Sequence, residues 1–141
     1  MKSNKVLFYF ILLLATAFVF NACYKEGHGG KASIIVSVRH EEGTTNHLVR
    51  GAAVCIKYGA SDSPGSDCSA YDESKVADTT YAKASFTNLY KGDYYIFADG
   101  IDTVNVAGVG ITTMLVNGGI AVTIKKRTEV VEVTVITKKK K

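Results

Sequence analysis

Tryptophan is absent from the 141 residues, proline occurs once, at Pro64, and histidine occurs three times. Without an indole there is no Trp platform to stack on sugar rings, which weighs against a dedicated carbohydrate-binding site. His40 and His47 flank Glu41-Glu42-Gly43, and two imidazoles with a carboxylate can hold a metal; a solvated hairpin is the default reading, so no metal ligand is assigned. Long 3.6-period apolar stripes are missing after the first two dozen residues, so no helical layer is expected. No G-x-S-x-G elbow occurs, and Ser61, Ser63 and Ser66 lie in a stretch whose composition already reads as loop. Gly108-Val109-Gly110 has Thr113 where a dinucleotide fingerprint would need glycine, with no helix behind it. No nucleophile, base and orienting group can be assembled, so the chain is read as non-enzymatic, with no catalytic residue and no cofactor.

A basic stripe is also lacking. The net charge of +4 is produced by the ends, because Lys2 and Lys5 open the chain and Lys138 to Lys141 close it. The remainder carries 11 basic against 13 acidic residues, and no nucleic-acid partner is expected. Asp62, Asp67, Asp72, Glu73 and Asp78 lack the spaced D-x-D-x-D-G register of a calcium loop and read as a solvated acidic segment.

What is present begins with an apolar run, Val6 to Phe20, behind the short basic start. Its 15 residues suit a signal-peptide core and fall short of the ~20 of a membrane span. It leads into Asn21-Ala22-Cys23. This junction resembles the lipobox of bacterial lipoproteins, although Phe20 and Asn21 depart from its tightest form. The resemblance implies that Cys23 becomes the first residue of the exported protein and carries acyl chains, with residues 1–22 removed. A plain cleaved signal and an uncleaved anchor are the alternatives. The expected location is then the cell envelope, on the outer membrane, facing the periplasm or the outside. Cys55 and Cys68 remain as an even pair in an oxidising compartment; a bridge between them would close a loop of about 14 residues, and two reduced thiols are the alternative.

Residues 23–31 read as the lipidated cysteine followed by a flexible, glycine-rich tether. From 32 to 137 the hydrophobic pattern has period 2. Ile34, Val36 and Val38 share one face; so do Val54, Ile56 and Tyr58; so do Ala84 and Phe86; and so do Val131, Val133 and Val135. Tyr94 and Ile96 form the core pair of the next run. Short runs at 103–111 and 120–124 complete about seven strands, separated by turn signals such as Glu42-Gly43, Lys91-Gly92-Asp93, Asp99-Gly100 and Asn117-Gly118-Gly119. The fold class is all-β: a seven-stranded antiparallel Greek-key sandwich, followed by a basic tail at 138–141. The one long connection, 59–80, is expected to be functional or mobile.

The series Ala84-Ser-Phe86-Thr-Asn-Leu89-Tyr-Lys-Gly92-Asp-Tyr94 resembles the A-x-F-x-x-L-x-x-G-x-Y pattern of prealbumin-like (transthyretin-like) sandwiches. These include the carboxypeptidase regulatory-like and collagen-adhesin B-type domains. The resemblance implies the fold rather than a function. Hydroxyisourate hydrolases of this fold end in Tyr-Arg-Gly-Ser, which this chain lacks, and its intradiol dioxygenases need two Tyr and two His on iron. The adhesin isopeptide bond could start from Lys31, but no Asn or Asp follows Asn117 to complete it.

One candidate contact area of three aromatic residues remains. Tyr95 and Phe97 project from the face opposite Tyr94 and Ile96, with Tyr90 at the adjacent turn; together they could stack on a sugar or pack on a partner, unless that strand is covered on both faces. The expected function is a lipid-anchored envelope protein presenting a sandwich as an adhesion-type or accessory protein-binding module. The alternative is a glycan-binding accessory subunit of a surface polysaccharide uptake system.

Overall fold

The computed structural model describes residues 25–140. Cys23 and the segment read as a signal peptide lie outside them. The elements are β1 (His28–Glu42), β2 (Thr45–Leu48), β3 (Ala53–Tyr58), a 3₁₀ turn (Cys68–Ala70), β4 (Glu73–Val76), β5 (Lys83–Leu89), β6 (Gly92–Val106), β7 (Gly110–Ile124) and β8 (Val130–Lys139).

Each strand bears a hydrophobic residue at every second position, so each needs a facing layer. In the first half of the fold, β8 pairs with one edge of β1, while β5 and then β2 pair with the other. In the second half, β3 lies between β4 and β6, and β6 continues to β7. The halves join only where Val116 and Asn117 of β7 meet Lys139 and Lys138 of β8. Folded over this corner, they bury a common core of Ile34, Val36 and Val38, Phe86 and Leu89 against Val54, Ile56, Tyr94 and Ile96. The result is an all-β sandwich, and the core faces expected from the sequence are the ones buried.

Three features differ from the expectation. There are eight strands: the runs expected at 94–98, 103–111 and 120–124 merge into β6 and β7, with the hairpin turn inside 103–111, while β2 and β4 form in segments read as turn or loop. The β1–β8 pair is parallel, from Ser33↔Val130 to His40↔Thr137, whereas every other pair is antiparallel. Side-chain alternation has the same period in both senses, so direction was not encoded in the pattern. Finally, Asp99-Gly100 and Asn117-Gly118-Gly119 are not turns; they pair with each other inside one long β6–β7 hairpin. These glycines serve close approach. A Cβ on Gly100 would press on Val49 and Ala52, and one on Gly118 would meet the Ile136 carbonyl of β8.

The 59–80 connection is more structured than expected. Cys55 is bonded to Cys68, with their Cα atoms 5.7 Å apart, and Asp67 caps the 3₁₀ turn by accepting from the Ser69 N–H at 2.8 Å. At the other end of the chain, β1 begins at His28, so residues 28–31 are strand and not tether.

Candidate functional site

The two ends of the sandwich are chemically different. At one end, which we call proximal, the N-terminal segment is fastened to the domain. The Gly27 N–H donates to the Tyr94 hydroxyl (3.2 Å), which donates to the Tyr90 carbonyl (2.7 Å), and the Tyr90 N–H returns to the Gly27 carbonyl (2.9 Å). His28 Nε2 and the Tyr58 hydroxyl both reach Glu73 Oε2, at 2.8 and 2.9 Å. The Tyr58 ring stands edge-on to both His28 and Tyr94. Burial and the hydrogen bond to Glu73 push the Tyr58 hydroxyl well above the ordinary tyrosine range. Burial also pushes Glu73 upward, but the Tyr58 and His28 hydrogen bonds and the Lys75 charge outweigh it and hold this carboxyl below its usual range. These groups satisfy one another, and this end reads as a latch.

The other, distal end carries a cleft. Alternation along β1 turns His40 inward, onto the same face as Val36 and Val38. Alternation along β6 does the same for Asp102, in phase with Tyr94 and Ile96. The two meet, with His40 Nδ1 2.7 Å from Asp102 Oδ2 and side chains 3% and 4% exposed as residues. The Thr103 N–H donates to Asp102 Oδ1 at 2.8 Å, so both carboxylate oxygens are engaged. Thr137, paired with His40 across β1 and β8, is also buried and donates its hydroxyl to the Arg39 carbonyl. Asp102 also lines an opening of about 420 Å³, with His47, Leu48 and Arg50 on one side and Ile101 and Thr103 beside it on the other.

β2 positions the first wall. Its turn is closed by the Thr45 hydroxyl on the Glu42 carbonyl, and the register sets His47 opposite His40. The second wall belongs to the β6–β7 hairpin, whose outward face is unusually apolar. Ile101 and Leu115 are cross-strand partners, 59% and 57% exposed, and Ile111 near the tip is 79% exposed. From Gly100 to Leu115 the only charged residue is Asp102, and it points inward. The Thr103–Thr113 pair lies between Ile101–Leu115 and Ile111, and Asn105 stands opposite Ile111, so the face mixes exposed apolar side chains with uncharged polar ones.

A buried His–Asp pair could orient a base, yet none of the described contacts joins His40 to a hydroxyl or thiol. Arg50 offers an exposed guanidinium, Leu48 and Ile101 offer apolar walls, and no Tyr or Phe is among the lining residues. His40, His47, Glu41 and Glu42 do not assemble into a metal site, and among the described residues no cluster of three ligating side chains occurs.

The aromatic trio expected to form a contact surface is dispersed. Phe97 is 5% exposed, because the ring of Tyr71 from the disulfide-pinned loop stacks on it at 5.4 Å. Tyr95 is half-buried on the same face, its ring lying where a Cβ on Gly119 would stand, and Tyr90 lies at the proximal latch with its ring over Gly29. The expected open aromatic face is therefore corrected: the structured 59–80 segment covers it. The cleft residues Arg50, Ile101 and Asp102 were missed, although the parity of β6 already placed Asp102 on the core side.

No protein-family model and no curated protein matches the chain. Similar solved structures include two from bacteria. One is a candidate carbohydrate-binding protein of Pseudomonas aeruginosa, 12% identical, with a TM-score of 0.58 over 79% of this chain and 91% of that one. The other is a minor pilin of Streptococcus agalactiae, 18% identical, with a TM-score of 0.44 over 84% of this chain and 46% of that one. At such identity the first likeness bears on the fold alone.

Proposed function

We propose that this chain is a non-enzymatic, lipid-anchored protein of the cell envelope that presents its β-sandwich as an adhesion-type or accessory module binding another protein. The observation that carries the reading is the separation of the two ends. The segment leading from Cys23 is latched at the proximal end, and the uncharged apolar hairpin face with its cleft stands at the opposite end. A module held by one pole and exposing a hydrophobic ribbon at the other is built for presentation. Acylation of Cys23 after removal of residues 1–22 supplies the hold, and the prealbumin-like resemblance of the 84–94 motif is consistent with the sandwich.

A photo-crosslinking residue placed at Leu115 in cells tests this reading. It is expected to give a discrete adduct with one identified envelope protein, whereas the same residue at Thr87, on β5, gives none. Glycan binding is the second reading. It is favoured by the polar set Arg50, Asp102 and Thr103 around Leu48 and Ile101, and by the carbohydrate-binding description of the Pseudomonas structure. A glycan-array signal abolished by Arg50→Ala, with no adduct from Leu115, would replace the first reading by the second.

A further inference from the structure

We infer that the free edge of β6 from Ile101 to Asn105 is a strand-addition site that takes an extended acidic segment of a partner protein, with a carboxylate of that segment seated at Arg50. The inference rests on the protein-binding reading and deepens it.

The sheet is incomplete beside β6. β6 pairs with β7 along its whole length, from Gly92↔Ile124 to Val106↔Gly110, but with β3 only from Tyr94 to Asp99. The lane occupied by β3 ends at Ala53, where the chain arrives from β2. Beyond Asp99, β6 therefore pairs with no strand on that side among the described residues. The Gly59 N–H reaches the Asp93 carbonyl on the β3 side, so with a period of two the backbone groups of Ile101, Thr103 and Asn105 face the vacant lane. One of them, the Thr103 N–H, is turned onto Asp102. The others form a short template for a further strand, the arrangement used when a peptide augments a sheet.

The edges of β2, β4 and β5 are guarded. β2 and β4 are only four residues long, Lys75 of β4 crosses to the Ser85 carbonyl of β5 at 2.7 Å, and the Asp78 N–H holds the Lys83 carbonyl. The β6 edge has none of these devices: no lysine, no proline, and no register shift against β7. An inward charge can itself protect an edge, but Asp102 is already answered by His40 and the Thr103 N–H. β7 from Gly110 to Met114 and β8 from Val130 to Thr137 also lack a strand on one side, but of these edges that of β6 alone lines the cleft beside Arg50.

The adjoining cleft says what should arrive. Arg50 is exposed and forms no ion pair among the described residues, while the one carboxylate lining the cleft is occupied. The open charge is positive and calls for a carboxylate, from an Asp or Glu side chain or a chain terminus. Leu48 and Ile101 favour small apolar neighbours. A sugar would gain nothing from backbone groups at strand spacing and would find no Tyr or Phe ring in the lining. A second copy pairing about a two-fold axis would bring two Arg50 side chains together without a free carboxylate for either.

The probe is a linear random-peptide library selected against the protein lacking residues 1–22, with its disulfide intact. Enriched sequences are expected to alternate β-branched residues and to include an acidic position. A synthetic copy should lose about tenfold or more in affinity with Arg50→Ala. It should also lose binding when alternate peptide amides are N-methylated, and should slow hydrogen exchange at Ile101 and Asn105. Asn105→Pro removes an N–H that faces the lane without breaking a bond to β7; it should abolish binding while leaving the thermal melt in place. If that variant misfolds, the N-methylated peptide on the unaltered protein makes the same test. The inference is overturned if no linear peptide is enriched, or if binding ignores N-methylation. It also fails if the edge is protected by a concentration-dependent dimer. An adduct from Leu115 combined with any of these results leaves the protein-binding reading standing and removes only strand addition; loss of both removes the reading.

Discussion

Among the described histidines, acids and basic residues, His40 and Asp102 are the two most deeply enclosed by the sandwich, and each is the other's main partner. Removing one member of such a pair leaves a polar group with no water to replace it. Asp102→Ala should cost about 3 kcal/mol of unfolding free energy, read from urea denaturation, and more than Asp102→Asn, which keeps an acceptor for the imidazole. A result near zero for Asp102→Ala would mean that water reaches His40. At the proximal latch the informative group is Glu73. Its carboxyl is held below the ordinary range, so its contribution is complete above its unfolded pKa and is lost as pH falls through the lower folded value. Hydrogen-exchange protection of the Gly27 amide should therefore fall below about pH 4, and Glu73→Gln should flatten that dependence. Tyr58 works at the other limit: raised above its usual value, it contributes below about pH 10 and loses that contribution as pH climbs through the folded value.

Among the elements, the 59–80 connection shows why composition alone misjudged a segment. Ser, Asp and Gly made it read as loop, but Cys68 pins its first half to β3 and Glu73 to Val76 then add a fourth strand to that sheet. Four residues are too few to show a periodicity, and a strand so short is decided by its neighbour. Cys68→Ser should cost about 3 kcal/mol by the loop-entropy argument and should also raise the exposure of Phe97, since Tyr71 is positioned by the same turn. Quenching of an introduced Phe97→Trp fluorophore by iodide, with and without the disulfide, measures this directly. The long hairpin was misread for a different reason. Gly100 and Gly118 look like turn residues in sequence, and only the packing of Ala52 and Ile136 against them reveals that they are points of close contact. By contrast, the inward positions Ile34, Val36, Val38, Ala84, Phe86, Tyr94 and Ile96 were legible, because alternation is imposed by a single buried face. Carried a few residues further, the same parity reaches His40, Asp102 and Thr137. This buried polar set was therefore written in the pattern, while Arg50, which lies outside any strand, was not.

At the scale of the molecule, the sandwich has two poles with different duties, and the assignment can be tested without knowing a partner. Replacing Cys23 by Ser should move the protein from the membrane fraction to the soluble fraction. Mass spectrometry of the native protein should show acyl chains on Cys23 and a bridge between Cys55 and Cys68 in one measurement. The latch adds a consequence of its own. With Cys23 acylated, only four peptide steps separate the lipid from the Gly27 hydrogen bond, a reach of at most ~14 Å. β1 then spans ~50 Å to the far end. The contact surface can thus rise no more than on the order of 60 Å above the headgroups. Partners are met in a thin layer rather than in a volume, so even weak binding would be amplified by confinement. Lengthening the chain between Cys23 and Gly27 would thicken that layer and dilute the encounter without altering any contact in the cleft.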